Sequence, residues 1–130
     1  MTLDDEILAA KAREAALGAY APYSNFRVGA ALLSADGRIF TGANVENAAY
    51  PASNCAEATA IGTAVSAGVR QVEKIAVACI DAASLEAAYP CGRCRQILSE
   101  FGTRSVLVTT GESTISEHTL DELLPHQFKL

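Results

Sequence analysis

The sequence predicts an α/β fold, a three-layer α/β/α sandwich in which helices cover both faces of a mixed β-sheet. Three observations support this prediction. The chain has 130 residues, of which 50% are hydrophobic, and this suits one compact domain spanning residues 1–130. Two strand-like segments come first, and strands then alternate with helical segments. Residues 74–80 are almost continuously apolar, as in a strand that is buried on both faces.

The chain opens with a segment that we predict to be an amphipathic helix. Thr2 can cap this helix, Asp5 has the spacing of a capping-box partner, and Gly18 can end it. Apolar residues recur along the segment at helical spacing and are expected to face the core: Leu3, Ile7, Ala10 and Leu17.

Four segments are predicted to be strands. Apolar residues alternate over 28–32 as in a half-buried strand, and a turn at Asp36-Gly37 lets residues 38–41 pair back. Residues 74–80 and 106–109 give the third and fourth strands.

Three further helices are predicted, over residues 55–67, 91–102 and 119–125. Ser53 or Asn54 can cap the first of them, and a glycine that follows it can close it. A Thr-x-x-Glu capping box opens the last one.

Charge and hydropathy narrow the class of partner. The chain has 10 Lys+Arg against 15 Asp+Glu, a formal net charge of −5, and no cluster of basic residues. Basic patches supply most non-specific affinity for nucleic acids, so neither DNA nor RNA is expected as a partner. The start of the chain is acidic, and no apolar run approaches the roughly 18 residues of a membrane span. We therefore expect a cytoplasmic protein that acts on a small, weakly charged molecule.

The four cysteines are Cys55, Cys79, Cys91 and Cys94. Because the sequence shows no secretory signal, they indicate metal binding or catalysis rather than disulfides. Cys79 lies in an apolar strand and is interpreted as a small core residue. The other three cysteines are an odd number, so disulfide bonds cannot pair all of them.

Cys55 and the Cys91/Cys94 pair stand at the predicted starts of two helices. Cys91 and Cys94 are three residues apart and share one helical face, so both sulfur atoms can reach one ion. A helix N-terminus favours the thiolate form that zinc requires. Three protein ligands leave a fourth tetrahedral position open, which is typical of catalytic rather than structural zinc.

Glu57 is the candidate acid–base group. At two residues from Cys55 on a helix it points away from that cysteine, but it can still reach a water molecule or substrate beside the metal. Taken alone, Glu57 also has the spacing of a helix cap with Asn54. Cys-x-x-Cys alone can be a redox pair or half of a structural zinc site. The combination of Cys-x-Glu with Pro-Cys-x-x-Cys favours a catalytic metal site.

Five segments form a recognisable pattern: residues 21–31 (APYSNFRVGAA), 44–50 (NVENAAY), 54–57 (NCAE), 90–96 (PCGRCRQ) and 122–128 (ELLPHQF). In this order and over nearly the whole chain, they resemble the small cytidine deaminases of nucleoside salvage, within the zinc-dependent cytidine/deoxycytidylate deaminase superfamily. A cysteine as the first metal ligand resembles the short, homotetrameric branch, since the longer dimeric branch has histidine there.

The resemblance implies roles for individual residues. Cys55, Cys91 and Cys94 would hold one zinc ion per chain, and Glu57 would move protons between water, the ring nitrogen N3 and the amino group that leaves C4 of cytosine. Cytidine and deoxycytidine would become uridine and deoxyuridine in pyrimidine salvage. A homotetramer with active sites at its subunit interfaces is also implied. Substrate contacts would come from six positions: Phe26 and Ala56 at the base, Asn44 and Glu46 at the ribose, Tyr50 in the pocket or interface, and Phe128 from a neighbouring subunit.

Two positions depart from the family's pattern. Ala58 follows Cys-Ala-Glu where many members have arginine, which can donate to a thiolate and offset the net negative charge of zinc with three thiolates. Arg93 and Arg95 are the available replacements, and we expect Arg95 to take this role. Tyr89 stands where the family usually has serine, which matters little if only its backbone carbonyl is used.

Three alternatives remain open. Deaminases of blasticidin-type nucleoside antibiotics can share Cys-Ala-Glu-Ala, but they tend to lose the Asn-Val-Glu-Asn loop that is intact here. A nucleic-acid-editing deaminase is disfavoured because the chain is short and acidic and has no basic channel. A non-catalytic zinc-binding or thiol-redox protein would need neither Glu57 nor the sugar-binding loop.

Overall fold

A computed structural model describes residues 2–130, which form four α-helices and five β-strands. Their bounds are α1 Leu3–Ala16, β1 Val28–Ser34, β2 Ile39–Ala43, α2 Ala56–Ser66, β3 Val72–Cys79, α3 Gly92–Glu100, β4 Ser105–Thr110, β5 Ile115–Thr119 and α4 Leu120–Leu123. Two short 3₁₀ turns lie at Tyr50–Ala52 and Leu85–Ala87.

The strands form one mixed sheet in the order β2-β1-β3-β4-β5. Only β3 and β4 are parallel, with Ile75 opposite Val106, and the other three pairings are antiparallel. Four of these strands match predicted segments, and the mixed character of the sheet is confirmed. The edge strand β5 was missed because its sequence, ISEHT, lacks the apolar alternation of a half-buried strand.

Helices cover both faces of the sheet, so the predicted three-layer sandwich is confirmed. On one face, Leu8 and Ala12 of α1 pack against Ala31, Ala76 and Leu107 of the sheet. The opposite face carries α2, α3 and α4, and its core includes Ala60, Leu98 and Leu120 together with sheet residues such as Leu32 and Val77.

Strand β1 is buried on both faces, which corrects the prediction of a half-buried strand. Ala30 and Leu32 belong to the core beneath α2 and α3, whereas Ala31 belongs to the core beneath α1. The strand is short of bulky side chains because α1 lies so close to it. A Cβ atom on Gly29 would lie only 2.0 Å from the carbonyl oxygen of Ala12.

The apolar stripe predicted for α1 faces away from the core. Leu3, Ile7 and Leu17 are 72%, 43% and 68% exposed, and Ala10 is exposed as well. The buried face consists instead of the ion-paired Asp5, Leu8 and three alanines, Ala9, Ala12 and Ala16. Small side chains allow the close approach to β1. The Lys74 ammonium of β3 lies 2.5 Å from the buried carboxylate of Asp5 and offsets the cost of burying its charge.

The predicted capping boxes of α1 and α4 are confirmed, with Thr2 paired to Asp5 and Thr119 to Glu122. The cap of α2 differs from the prediction, because its N-cap residue is Cys55 rather than Ser53 or Asn54. The N-cap position of Cys55 sets the geometry of the candidate site.

Within residues 2–130, no helix has the length and apolar character required to cross a membrane.

Candidate active site

Three cysteines meet where α2 and α3 begin. Cys55 is the N-cap residue of α2, Cys91 is the N-cap residue of α3, and Cys94 lies in the first turn of α3. Neither N-cap cysteine uses its side chain to cap its own helix. The three Sγ atoms all lie within 4.8 Å of one another, so the chain has a cluster that can bind one metal ion.

The chemistry of this cluster fits zinc. Three sulfur donors match the ligand preference of Zn²⁺ and leave one of its usual four positions free. The hydrogen bond from Cys94 lowers the pKa of Cys55 to about 6, and the positive charge of Arg93 acts in the same direction. Hydrogen bonding with Cys55, together with burial, raises the pKa of Cys94. Cys55 is therefore a thiolate at neutral pH and can bind a metal directly, whereas Cys94 must release its proton when a metal binds.

Glu57 lies in the first turn of α2 and is only 4% exposed. Burial raises the pKa of its carboxyl group to about 7, and the negative charge on Cys55 adds to this effect. Glu57 does not form a capping box with Asn54, because Cys55 is the N-cap and the Asn54 Nδ2 atom donates to Thr59 Oγ1 at 3.1 Å. The alternative interpretation of Glu57 as a simple helix cap is therefore wrong.

A cavity of about 170 Å³ lies beside the cysteines and Glu57. Phe26, Asn44 and Ala56, three of the predicted substrate contacts, are on its wall. The remaining wall residues are Val28, Val77, Cys55, Cys79, Cys91, Ala87, Ala88 and Tyr89. A small cavity lined by a carboxyl group and cysteine sulfur atoms suits a small polar molecule.

Cys79 occupies a position in both the core and the cavity wall. It is 5% exposed, its thiol lies 3.6 Å from the Ala88 carbonyl oxygen as a hydrogen-bond donor, and burial raises its pKa to about 12. The prediction of a core residue is confirmed. Neither Cys79 nor Val77 was assigned to the site from the sequence. The rule that ligand sites in α/β folds form at the carboxyl ends of strands would have indicated both positions.

Asn44 fixes the backbone beside Phe26. Its Oδ1 atom accepts a hydrogen bond from the Val28 amide at 2.9 Å, and its Nδ2 atom donates to the Phe26 carbonyl oxygen at 2.9 Å. A side-chain amide has two donor hydrogens and two acceptor lone pairs. One donor and one acceptor of Asn44 therefore remain for a ligand.

Glu46 and Tyr50 line a second hollow, of about 270 Å³, together with Tyr23, Ser24, Asn47 and Ser53. The Glu46 carboxylate accepts hydrogen bonds from the amides of Tyr23 and Ser24, at 3.0 and 3.1 Å, and from Ser24 Oγ at 2.5 Å. The bond from Ser24 Oγ is the main cause that holds the pKa of Glu46 below its usual value. The structure thus separates these two residues from the cavity wall, on a loop that is fixed by its own hydrogen bonds.

Phe128 does not approach the cavity of its own chain. Its side chain is 67% exposed, and Gln96 Nε2 holds its carbonyl oxygen at 3.1 Å.

Arg95 does not take the role that the sequence led us to expect. Its Nε atom donates to the Pro90 carbonyl oxygen at 2.7 Å, and its Nη1 atom donates to the Leu123 carbonyl oxygen at 2.6 Å. Two backbone carbonyls that need donors thus hold its guanidinium group. The positive charge of Arg93 instead helps to lower the pKa of Cys55. Arg93 is therefore the arginine that can offset thiolate charge where Ala58 cannot.

Fold and site together define a class of protein: an α/β sandwich with a three-cysteine metal cluster at two helix N-termini and a buried glutamate beside it. The family model of the cytidine and deoxycytidylate deaminase zinc-binding region matches residues 2–110. The chain belongs to this family.

Relatives of similar length support this assignment. The cytidine deaminase of Sporosarcina psychrophila is 45% identical over 128 residues, which cover 97% of this chain and 92% of the relative. The cytidine deaminase of Mycobacterium tuberculosis is 41% identical and covers 98% of this chain and 92% of its own. A 1.6 Å crystal structure of cytidine deaminase from Burkholderia pseudomallei matches with a TM-score of 0.88 and 42% identity, over 98% of this chain and all of that chain.

The arrangement of arginines generates a prediction about metal retention. Arg93→Gln should lower zinc affinity by about 10- to 100-fold, since groups that stabilise metal ligands from the outer shell contribute on this scale. Zinc affinity is measured by competition with a chromogenic chelator. Arg70→Gln is the control, because Arg70 bonds only to the Val65 and Val69 carbonyl oxygens at the far end of α2. Equal zinc affinities for the two variants would contradict the assignment of Arg93.

Proposed function

We propose that this protein is a zinc-dependent hydrolase that converts free cytidine and deoxycytidine to uridine and deoxyuridine, with release of ammonia. One observation carries the proposal: three thiols cluster at two helix N-termini in a chain of the deaminase family, and two of them, Cys55 and Cys91, share a cavity wall with buried Glu57. The small cavity and the net charge of −5 favour a free nucleoside over a polynucleotide. The reaction would serve pyrimidine salvage, with residues 1–130 acting as one catalytic domain.

Cys55, Cys91 and Cys94 hold the zinc ion. Bound zinc supplies Lewis-acid activation of a water molecule. The two helix N-termini and Arg93 offset part of the negative charge that three thiolates bring.

Glu57 moves the protons. A carboxyl group with a pKa near 7 can both accept and donate a proton at neutral pH, which is the condition for acid–base catalysis. Glu57 accepts a proton from the attacking water and gives it to N3 of the cytosine ring, while oxygen adds to C4. It then passes the second proton of that water to the amino group, so that neutral ammonia leaves and the C4 carbonyl forms.

The walls of the site hold the substrate. Phe26 and Ala56 flank the base, and the free donor and acceptor of Asn44 are available to a ribose hydroxyl group. Glu46 and Tyr50 line the second hollow, and a carboxylate fixed by Tyr23 and Ser24 suits a sugar hydroxyl.

We further propose a homotetramer with its active sites at the subunit interfaces. Large apolar side chains are exposed near the site and at the C-terminal tail, among them Tyr23 (52%), Tyr50 (74%) and Phe128 (67%). Contiguous exposed apolar patches mark interaction surfaces, and the rings of Tyr23 and Tyr50 adjoin with centroids 6.4 Å apart. Phe128, which does not line the cavity of its own chain, would then pack on the base in a neighbouring subunit. A reducing, cytoplasmic location is consistent with the four free cysteines, since the metal-binding thiols must stay reduced.

The first prediction that follows from the proposed function concerns turnover. Purified protein should convert cytidine to uridine, followed by ultraviolet absorbance, and should contain about one zinc per chain. Glu57→Gln should retain zinc and lose about 10²- to 10⁴-fold in rate, the usual contribution of an acid–base group. Glu14→Gln, at an exposed position of α1, is the control and should leave both quantities unchanged.

Two outcomes would contradict the proposed function. Zinc binding with no turnover of cytidine or deoxycytidine, but with turnover of a blasticidin-type nucleoside, would indicate an antibiotic deaminase. Zinc binding with no turnover of any cytosine compound would indicate a non-catalytic zinc protein.

A second prediction tests the role of Phe128. Phe128→Ala should raise the KM for cytidine about 5- to 100-fold, on the scale of lost base–aromatic stacking, or dissociate the tetramer. Steady-state kinetics and analytical ultracentrifugation measure the two effects. Leu130→Ala, at a fully exposed neighbour on the same tail, is the control. Unchanged KM and unchanged mass in Phe128→Ala would contradict the proposed interface.

A further inference from the structure

The segment that delivers Cys91 to the metal cluster has no regular structure of its own. Residues 88–91, which we call the ligand loop, connect the 3₁₀ turn at Leu85–Ala87 to α3. Tyr89 and the preceding alanine line the cavity, and Pro90 is buried directly before Cys91. Whatever fixes this loop also fixes the Cys91 sulfur and one wall of the cavity.

A histidine of the edge strand supports the loop from outside. The rings of Tyr89 and His118 meet edge to face, with centroids 5.2 Å apart and planes at 68°. Such a geometry is favourable for aromatic pairs beyond the area that they bury. His118 lies in β5, opposite Val106 of β4, and its side chain is only 21% exposed.

The His118 ring is itself held from two sides. Its Nε2 atom lies 2.7 Å from Ser116 Oγ, on the same face of the strand. Its Nδ1 atom lies 4.0 Å from the carboxylate of Glu122, whose other bonds cap α4. The ring therefore has little freedom to turn away from Tyr89.

A second contact ties the loop to the same part of the chain. Arg95 spans from the Pro90 carbonyl oxygen, at 2.7 Å, to the Leu123 carbonyl oxygen at the end of α4, at 2.6 Å. Because α4 follows β5 without a break, both contacts join the ligand loop to one continuous segment, residues 115–123.

We propose that residues 115–123 brace the ligand loop and that His118 is a positioning residue that acts through Tyr89. The inference rests on the proposed function in so far as Cys91 is a zinc ligand. His118 belongs neither to the cysteine cluster nor to the lining of the cavity, so its effect is on the placement of Tyr89 and Cys91. Tyr89 stands where the family pattern has serine. Its ring contacts His118 on β5, the strand that the sequence did not predict, and this contact gives the ring a structural role.

The test is the rate of zinc release from the full-length holoprotein into excess chromogenic chelator, without substrate. His118→Ala should release zinc about two- to tenfold faster, the range that corresponds to the loss of one aromatic pair. His118→Phe keeps an aromatic edge against Tyr89 and should release zinc at the wild-type rate. Glu112→Ala, in the exposed turn before β5, is the control.

A double-mutant cycle separates positioning from general stability. Tyr89→Ser should speed zinc release to a similar extent, and His118→Ala should add no further effect in the Tyr89→Ser background. For cytidine, His118→Ala should raise KM while kcat per bound zinc stays unchanged. Thermal unfolding verifies that the variants compared are folded.

Three outcomes would overturn the inference. Wild-type zinc release in His118→Ala would mean that the ring does not hold the loop. Faster release in both His118→Ala and His118→Phe, or additive effects in the double variant, would mean that His118 acts through strand stability rather than through Tyr89. A wild-type protein that binds no zinc would instead overturn the proposed function, and the inference with it.

Discussion

Both helices that carry the metal cluster begin with a cysteine, and neither thiol bonds to the first turn of its own helix. Serine, threonine, aspartate or asparagine at such an N-cap would satisfy a free backbone N–H and contribute about 1 kcal/mol to stability. Cys55 and Cys91 forgo this contribution and direct their sulfur atoms to a common point. The rest of the site depends on this arrangement, because it leaves two positively polarised helix ends facing a set of thiolates.

The sheet provides the register that brings the two helices together. The parallel pairing of β3 and β4 requires a crossover through α3, which returns on the same face as α2. Close packing then fixes α2, since a Cβ atom on Gly42 of β2 would lie 2.5 Å from the backbone nitrogen of Ala60. The carboxyl end of β3 lies between the two helix starts and contributes Cys79 to the cavity.

The fold and the cysteine cluster could be predicted because their signals are local. Strand patterning and capping boxes identified four strands and the helices, and Cys-x-Glu and Pro-Cys-x-x-Cys identified the cluster. Three features depend on tertiary contacts that no local pattern reveals. Helix α1 has two apolar faces. The face that packs against the sheet is the one whose alanines are small enough to approach Gly29. The polar strand β5 is defined by its antiparallel pairing with β4, not by an apolar pattern of its own. Arg95 is drawn to the Pro90 and Leu123 carbonyls, which are distant in sequence from each other.

X-ray absorption at the zinc K-edge of the purified protein tests the central claim most directly, because it counts the ligands of the metal without reference to activity. Three thiolates and one exchangeable position predict three sulfur scatterers at about 2.3 Å and one oxygen or nitrogen scatterer at about 2.0 Å. Cys91→Ser should remove one of the sulfur scatterers. Four sulfur scatterers in the wild-type protein would contradict the claim, because they would mean a closed structural site that recruits Cys79 or a cysteine of another chain.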